Sequence, residues 1–169
     1  MGDKPLAARC LVVLDVPCHT TDVAGMSEQL IIGGGLILAT CLTACLLWAA
    51  LERVLDVCAD WIRRPPLATK MAATLLLTLV CAILLLTVNV AIWAMAFRSI
   101  GVFETTEAAT YFALVSFTSL GFGDVLLPTE WRLLGGMAAS NGLLNFGIVT
   151  AMLIETMRSA RLAQRGPDP

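Results

Sequence analysis

Charged side chains are scarce in this chain. They make up 14% of its 169 residues, against about 25% in an ordinary soluble domain. Hydrophobic residues make up 58% and the mean hydropathy is +0.83. A chain this short cannot hide so much apolar surface in one water-soluble core. With a net charge of -2, it also lacks the basic surface that nucleic acid requires. The composition therefore predicts a protein of the lipid bilayer with no nucleic-acid partner.

Patterns typical of metal sites and enzymes are also missing. The single histidine, His19, stands alone, and none of the six cysteines has CxxC spacing. Cys10 and Cys18 can pair outside the cell, whereas cysteines inside apolar runs are expected to act as small hydrophobes. The apolar segments contain no Ser/His pair and no paired carboxylates. We therefore predict a protein that is not an enzyme and has no cofactor.

Three apolar segments are long enough to cross a bilayer, which takes about 20 residues. They cover residues 29–51, 71–97 and 133–154. They predict an all-α membrane protein with three transmembrane helices. The chain then divides into an external N-terminal segment (1–28), a first span (29–51), a cytoplasmic linker (52–70), a unit built on the other two spans (71–157) and a short cytoplasmic tail (158–169).

The linker has an amphipathic pattern. Its apolar residues recur three and four positions apart: Leu51, Val54, Leu55, Cys58, Trp61 and Ile62. We expect a helix that lies on the inner membrane surface or extends the first span. Pro65 and Pro66 end it.

Basic residues predict the orientation, because loops rich in Lys and Arg stay in the cytoplasm. The linker and the tail carry most of the basic residues near the spans: Arg53, Arg63, Arg64, Lys70, Arg158, Arg161 and Arg165. This pattern predicts a multi-pass protein of the plasma (inner) membrane, with its N-terminus outside and its C-terminus in the cytoplasm. No span carries Arg or Lys at every third position, so we expect no voltage sensor of the usual kind.

A shorter apolar stretch, Ala108 to Phe117, lies between the second and third spans. It is about half a span long, which is typical of a buried or re-entrant segment. Thr105 or Thr106 can cap it as a helix, and Glu107 suits its first turn. The sequence TSLGFGD follows it and must run back as non-helical backbone. Such backbone is stable in a membrane only against protein or water.

One use of exposed carbonyl groups is to replace the hydration shell of a cation. Gly121 and Gly123 allow the positive φ values that turn successive carbonyls the same way. Ser119 adds a hydroxyl at the inner end of this stretch. Asp124 places a carboxylate at its outer mouth, where it raises the local cation concentration.

TSLGFGD resembles the selectivity filter of potassium channels, commonly TTVGYGD. The resemblance covers Tyr111 to Arg158 and extends to small prokaryotic potassium channels with an extra span before the pore. It implies a re-entrant pore helix and filter inside a pore domain (71–157), permeant K⁺ ions and a homotetramer. By position, the filter is Thr118, Ser119, Leu120, Gly121, Phe122 and Gly123. K⁺ is then held by the carbonyls of Ser119, Leu120, Gly121 and Phe122 and by the Ser119 hydroxyl, with Asp124 at the pore mouth.

Two departures from the family pattern leave ion selectivity open. Ser119 replaces a threonine and Phe122 replaces a tyrosine whose hydroxyl can tie the filter to its surroundings. The primary prediction is a channel that conducts K⁺ passively down its electrochemical gradient. The alternatives are a weakly selective monovalent cation channel of the same build and a non-conducting membrane scaffold or regulatory subunit.

The third span contains two polar side chains at mid-membrane. Asn141 and Asn145 lie four residues apart on one face. Such groups face either water or a neighbouring helix. We predict that they line a water-filled cavity below the filter, with interhelical hydrogen bonds as the alternative. Gly142 lies near the position of a flexible glycine in related inner helices and is a candidate gating hinge. Asn89 in the second span is expected to make a packing contact.

Overall fold

The computed structural model describes residues 23–59 and 66–165, and this part of the chain is built from helices and short connections. The helices are α1 (Val23–Val57), α2 (Leu67–Ser99), α3 (Thr106–Phe117) and α4 (Arg132–Arg165), with a 3₁₀ turn at Thr129–Trp131 just before α4. Cys10, Cys18, His19 and linker residues 60–65 lie outside the described residues.

Three of these helices are long and apolar enough to cross a membrane. Their candidate spans are Gly25–Val57, Ala68–Ser99 and Thr129–Leu162. Each contains one of the three predicted segments. Large apolar side chains cover much of the surface, for example Ile31, Leu38, Leu42 and Leu46 along one side of α1. This exposed apolar surface is stable in lipid and costly in water.

Two helices run beyond the predicted spans. The first residues of the linker extend α1 to Val57. The described part of the linker therefore extends the first span, which is one of the two arrangements expected from the sequence. Leu51 is buried there, and Leu55 packs against the same cluster. α4 continues to Arg165 because its buried side recurs every four residues at Met152, Thr156 and Ala160. Hydropathy alone misses these extensions, since charged residues on the exposed face lower its average.

The helices pack around two apolar clusters. An aromatic cluster joins the end of α2 to α3, where Phe97 meets Phe112 edge to face at 5.2 Å between ring centroids. Small residues of α3 and α4, Ala109, Ala113 and Ala138, are fully buried beside it. An aliphatic cluster joins α1, α2 and α4 near their other ends: Ala44, Leu51, Ala82, Leu85, Val149 and Met152. Small residues let these backbones approach closely.

Candidate functional site

The short helix α3 begins with a local capping motif. The Thr105 hydroxyl accepts a hydrogen bond from the Ala108 N–H at 3.2 Å, and Glu107 lies in the first turn. Both features stabilise a helix N-terminus. With 12 residues, α3 is about 18 Å long, a little over half the hydrocarbon thickness of a bilayer. Its buried residues hold it against α2 and α4, so its C-terminal end has a fixed position.

The helix ends at Phe117, and we call the residues after it, Thr118 to Asp124, the glycine segment. Thr118 closes the helix with φ -83° and ψ -2°. The next two N–H groups still return to α3: Ser119 donates to the Ser116 carbonyl at 2.9 Å and Leu120 to the Val115 carbonyl at 3.0 Å. From residue 121 to 127, no backbone–backbone hydrogen bond occurs among the described residues. Beyond Leu120, the segment therefore continues without backbone hydrogen bonds in the described part of the chain.

The backbone of this segment alternates in handedness. Ser119, Gly121 and Gly123 have φ values of 57°, 58° and 77°, whereas Leu120 and Phe122 do not have positive φ. Glycine adopts positive φ without strain. For a residue such as Ser119, it costs about 1–3 kcal/mol and tends to occur at functional sites.

The glycine segment lies open on the surface of the protomer. Leu120 and Phe122 are 59% and 67% exposed. Within the described residues, no backbone N–H donates to a carbonyl oxygen of residues 119–123. Unpaired carbonyl oxygens in a row can act as cation ligands.

A side-chain hydrogen bond ties the end of the segment back to α3. The Tyr111 hydroxyl donates to the Asp124 carboxylate at 2.6 Å. This bond lowers the pKa of Asp124 and raises the pKa of Tyr111. The backbone N–H groups of Asp124 and Val125 lower the pKa of Asp124 further. The carboxylate is therefore held in place in its charged form beside the last glycine.

Sequence reasoning did not identify Tyr111 as part of the site. It is the single tyrosine of the chain and precedes Asp124 by 13 residues. Only the folded path, along α3 and back through the glycine segment, brings the two together. Spacing along one helix contains no signal for such a contact.

Asn141 and Asn145 point into the helix bundle, which corrects the prediction that they line a cavity. The two side chains are 1% and 0% exposed. Asn141 Nδ2 donates to the Thr40 hydroxyl at 2.8 Å, and Asn145 Oδ1 accepts from Asn89 Nδ2 at 2.7 Å. The interhelical alternative describes this arrangement. Apolar neighbours offer no hydrogen bonds, so an amide in this position is stable only beside another polar group.

Gly142, the candidate hinge, makes the closest backbone approach around the site. A Cβ atom at this position would lie 1.7 Å from the carbonyl oxygen of Phe117. α4 therefore contacts the last residue of α3, immediately before the glycine segment. Glycine is needed here for packing.

Residues 83–159 match a protein-family model described as an ion channel. The matched range contains the second half of α2, all of α3, the glycine segment and most of α4. The match supports an ion-channel pore family and ion-channel function, and such a family suggests a protein that is not an enzyme. Together with the three long apolar helices, it indicates a multi-pass membrane protein in contact with lipid. No curated protein and no solved structure matches the chain.

Proposed function

We propose that this protein is a potassium channel, a homotetramer that conducts K⁺ passively down its electrochemical gradient. The observation that carries the proposal is the alternation of positive φ at Ser119, Gly121 and Gly123 on an exposed strand. Carbonyls that accept no backbone hydrogen bond within the described residues are costly unless a ligand or water meets them. A dehydrated K⁺ ion is such a ligand. In the proposed filter, Thr118 to Gly123, the carbonyls of Ser119, Leu120, Gly121 and Phe122 replace its water shell.

The rest of the site fits a cation pathway. The C-terminal end of α3 carries the negative end of the helix dipole and leads directly into the glycine segment, which favours positive charge there. Asp124, held by Tyr111, adds a carboxylate at the opposite end and attracts cations to the mouth. One protomer gives one strand, so several copies must surround the ion. Cyclic symmetry is the usual way for copies of one chain to do this.

The proposed orientation places the glycine segment toward the outside. Basic residues lie near the end of α1 at Arg53 and near the end of α4 at Arg158 and Arg161, and such residues favour the cytoplasmic side. The connection that contains α3 then starts from the external face of the plasma (inner) membrane. The C-terminus lies in the cytoplasm.

A weakly selective monovalent cation channel is the second candidate. It is favoured by Phe122, which has no hydroxyl to hold the middle of the segment and is 67% exposed in the protomer. The tie from α3 reaches Asp124 instead. A filter held mainly at its ends discriminates less between K⁺ and Na⁺ if selectivity depends on a fixed cavity size.

Ion flux from liposomes tests the proposal. The native protein is expected to release K⁺, and Gly121→Ala is expected to do so at a rate lower by about tenfold or more, because alanine in the left-handed region costs about 1–2 kcal/mol. The matched control is Gly35→Ala on α1. A Cβ there meets nothing within 4 Å, and alanine suits a helix better than glycine.

Three results would count against the proposal or refine it. Native protein that behaves like empty vesicles removes the channel function. Equal flux from Gly121→Ala and native protein removes the glycine segment as the pathway. Reversal potentials in mixed K⁺ and Na⁺ separate the two candidates, since a permeability ratio near one selects the weakly selective channel.

A further inference from the structure

A buried group of polar side chains joins three helices at mid-membrane. We call Thr40 and Thr43 of α1, Asn89 of α2, and Asn141 and Asn145 of α4 the amide cluster. Thr40, Asn89 and Asn145 are 0% exposed and Asn141 is 1% exposed. Buried polar groups in a membrane protein are costly to place and tend to be functional.

The hydrogen bonds of the cluster form one connected path from α1 to α4. Asn141 Nδ2 donates to the Thr40 hydroxyl at 2.8 Å. Asn145 Nδ2 donates to the Asn141 carbonyl at 2.9 Å. Asn89 Nδ2 donates to Asn145 Oδ1 at 2.7 Å, and Asn89 Oδ1 lies 2.8 Å from the Thr43 hydroxyl. Thr40 of α1 therefore contacts an amide of α4, and Thr43 of α1 contacts an amide of α2.

The cluster lies beside the start of the proposed filter. Asn141 precedes Gly142, and Gly142 touches the carbonyl of Phe117, the last residue of α3. Because a Cβ at Gly142 has no room, a small shift or rotation of α4 toward α3 must displace the end of α3. The Thr40–Asn141 bond is therefore connected to the start of the glycine segment through one backbone contact.

A second polar contact links the same two helices near their other ends. The Leu134 N–H, in the first turn of α4, donates to Gln29 Oε1 of α1 at 3.3 Å. α1 thus holds α4 at its N-terminus and again at Asn141. Two attachment points along one helix limit both its rotation and its translation.

We infer that α1 is a positioning element for the pore: the amide cluster fixes α4 so that Gly142 supports Phe117 and the inner end of the proposed filter. The inference rests on the proposed function. Thr40 and Thr43 touch no ion; they act through Asn141, Asn89 and the backbone of α4. Breaking the cluster lets α4 move and changes the fraction of time for which the channel is open.

Single-channel recording in planar bilayers tests this role with Thr40→Val, which keeps the shape of the side chain and removes the hydroxyl. One interhelical hydrogen bond in a membrane corresponds to a change of about threefold in an equilibrium. We therefore expect Thr40→Val to change the equilibrium between the open and closed channel by about threefold or more for each protomer that carries it. This change is measured as a difference in open probability from the native channel. Thr40→Ser, which keeps the hydroxyl, is expected to restore the native value. Cys45→Val, at an exposed position on the same helix, is the matched control and should behave as native.

The outcomes distinguish a failure of the proposed channel function from a failure of the positioning role of α1. If the native protein does not conduct, both the channel and the positioning role fail. If it conducts, and Thr40→Val lowers thermal stability but keeps the native open probability, the cluster is a packing contact only. If Thr40→Val does not assemble, Thr40→Cys replaces the hydroxyl with a weaker donor. Native open probability in that variant overturns the positioning role.

Discussion

A hydrogen bond from Tyr111 anchors one end of the glycine segment, at Asp124. Phe122 has no hydroxyl, so the glycine segment cannot be tied to its surroundings from its middle. Tyr111 supplies a hydroxyl from α3 and holds Asp124 at 2.6 Å. The segment is therefore anchored at both ends, by its continuity with α3 at Thr118 and by this bond at Asp124.

The charge of Asp124 leads to a prediction of pH dependence. The Tyr111 hydroxyl lowers the pKa of Asp124 from its usual 3.8. The stabilisation from this bond is thus present above pH 3.8 and is lost as pH falls through the lowered pKa. Tyr111→Phe removes the bond and raises the pKa of Asp124 again. If the carboxylate attracts K⁺, acid should reduce the conductance of Tyr111→Phe at a higher pH than that of the native channel.

The measurement is K⁺ conductance in planar bilayers, with the pH on the Asp124 side varied between about 3 and 7. Glu104→Gln is the control, because Glu104 is another exposed carboxylate near the start of α3 and is not among the groups that shift the pKa of Asp124. It should keep the native acid midpoint. A Tyr111→Phe midpoint equal to the native one would show that the hydroxyl does not set the charge at the mouth.

At the scale of single elements, local sequence explains how α3 begins and how the glycine segment turns. Thr105 or Thr106 was a cap candidate by residue type, and Thr105 provides the cap. Gly121 and Gly123 have the positive φ values that glycine favours. Ser119 shares that conformation, but nothing in its residue type indicates it. Its backbone is imposed by the surrounding structure.

Contacts between elements were not predictable in the same way. The sequence places Asn141 and Asn145 at mid-membrane but does not specify which neighbour their face meets. Thr40 and Thr43 lie within an apolar run where nothing singles them out, and only the packing of α1 on α4 pairs Thr40 with Asn141. Hydropathy predicts the three long helices because a membrane-spanning helix is recognised by the length of its apolar run. Their partners depend on three-dimensional packing.

The contact between α4 and α3 leads to a prediction about Gly142. Gly142→Ala places a methyl group where a Cβ lies 1.7 Å from the Phe117 carbonyl. Because that oxygen belongs to backbone, it cannot rotate away. We expect a loss of about 1–3 kcal/mol in stability from overpacking, together with reduced K⁺ flux. Thermal unfolding in detergent measures the first effect and liposome flux measures the second.

Gly136→Ala on the same helix is the matched control. A Cβ at Gly136 meets nothing within 4 Å, and alanine raises helix propensity by about 1 kcal/mol. This variant should be as stable as the native protein or more so. Native stability and flux in Gly142→Ala would instead mean that α4 moves away from α3 without consequence, which would also weaken the positioning role of α1.

At the scale of the whole molecule, two features of the protomer lie open on its surface. The glycine segment is exposed, and an open cavity of about 670 Å³ lies between α2 and α3. The cavity is lined mostly by apolar side chains, among them Val90, Leu114 and Phe146, with Arg98 also in its lining, and it reaches Thr118 at the edge of the glycine segment. In the proposed homotetramer, we expect a neighbouring copy to lie against this side of the protomer.

This arrangement predicts the effect of a bulky residue at Leu114. Leu114 is 48% exposed on α3 at the cavity, and Leu38 is 72% exposed on α1. Leu114→Trp is expected to block a neighbouring copy, whereas Leu38→Trp faces lipid, which accommodates a larger ring. Native mass spectrometry from detergent should find a species of four chains of 18.0 kDa each for the native protein and Leu38→Trp. Leu114→Trp should lose that species.

A native protein that is only monomeric would leave each strand of carbonyls without symmetry mates and would remove the proposed filter. An intact tetramer of Leu114→Trp would place the subunit interface on another face.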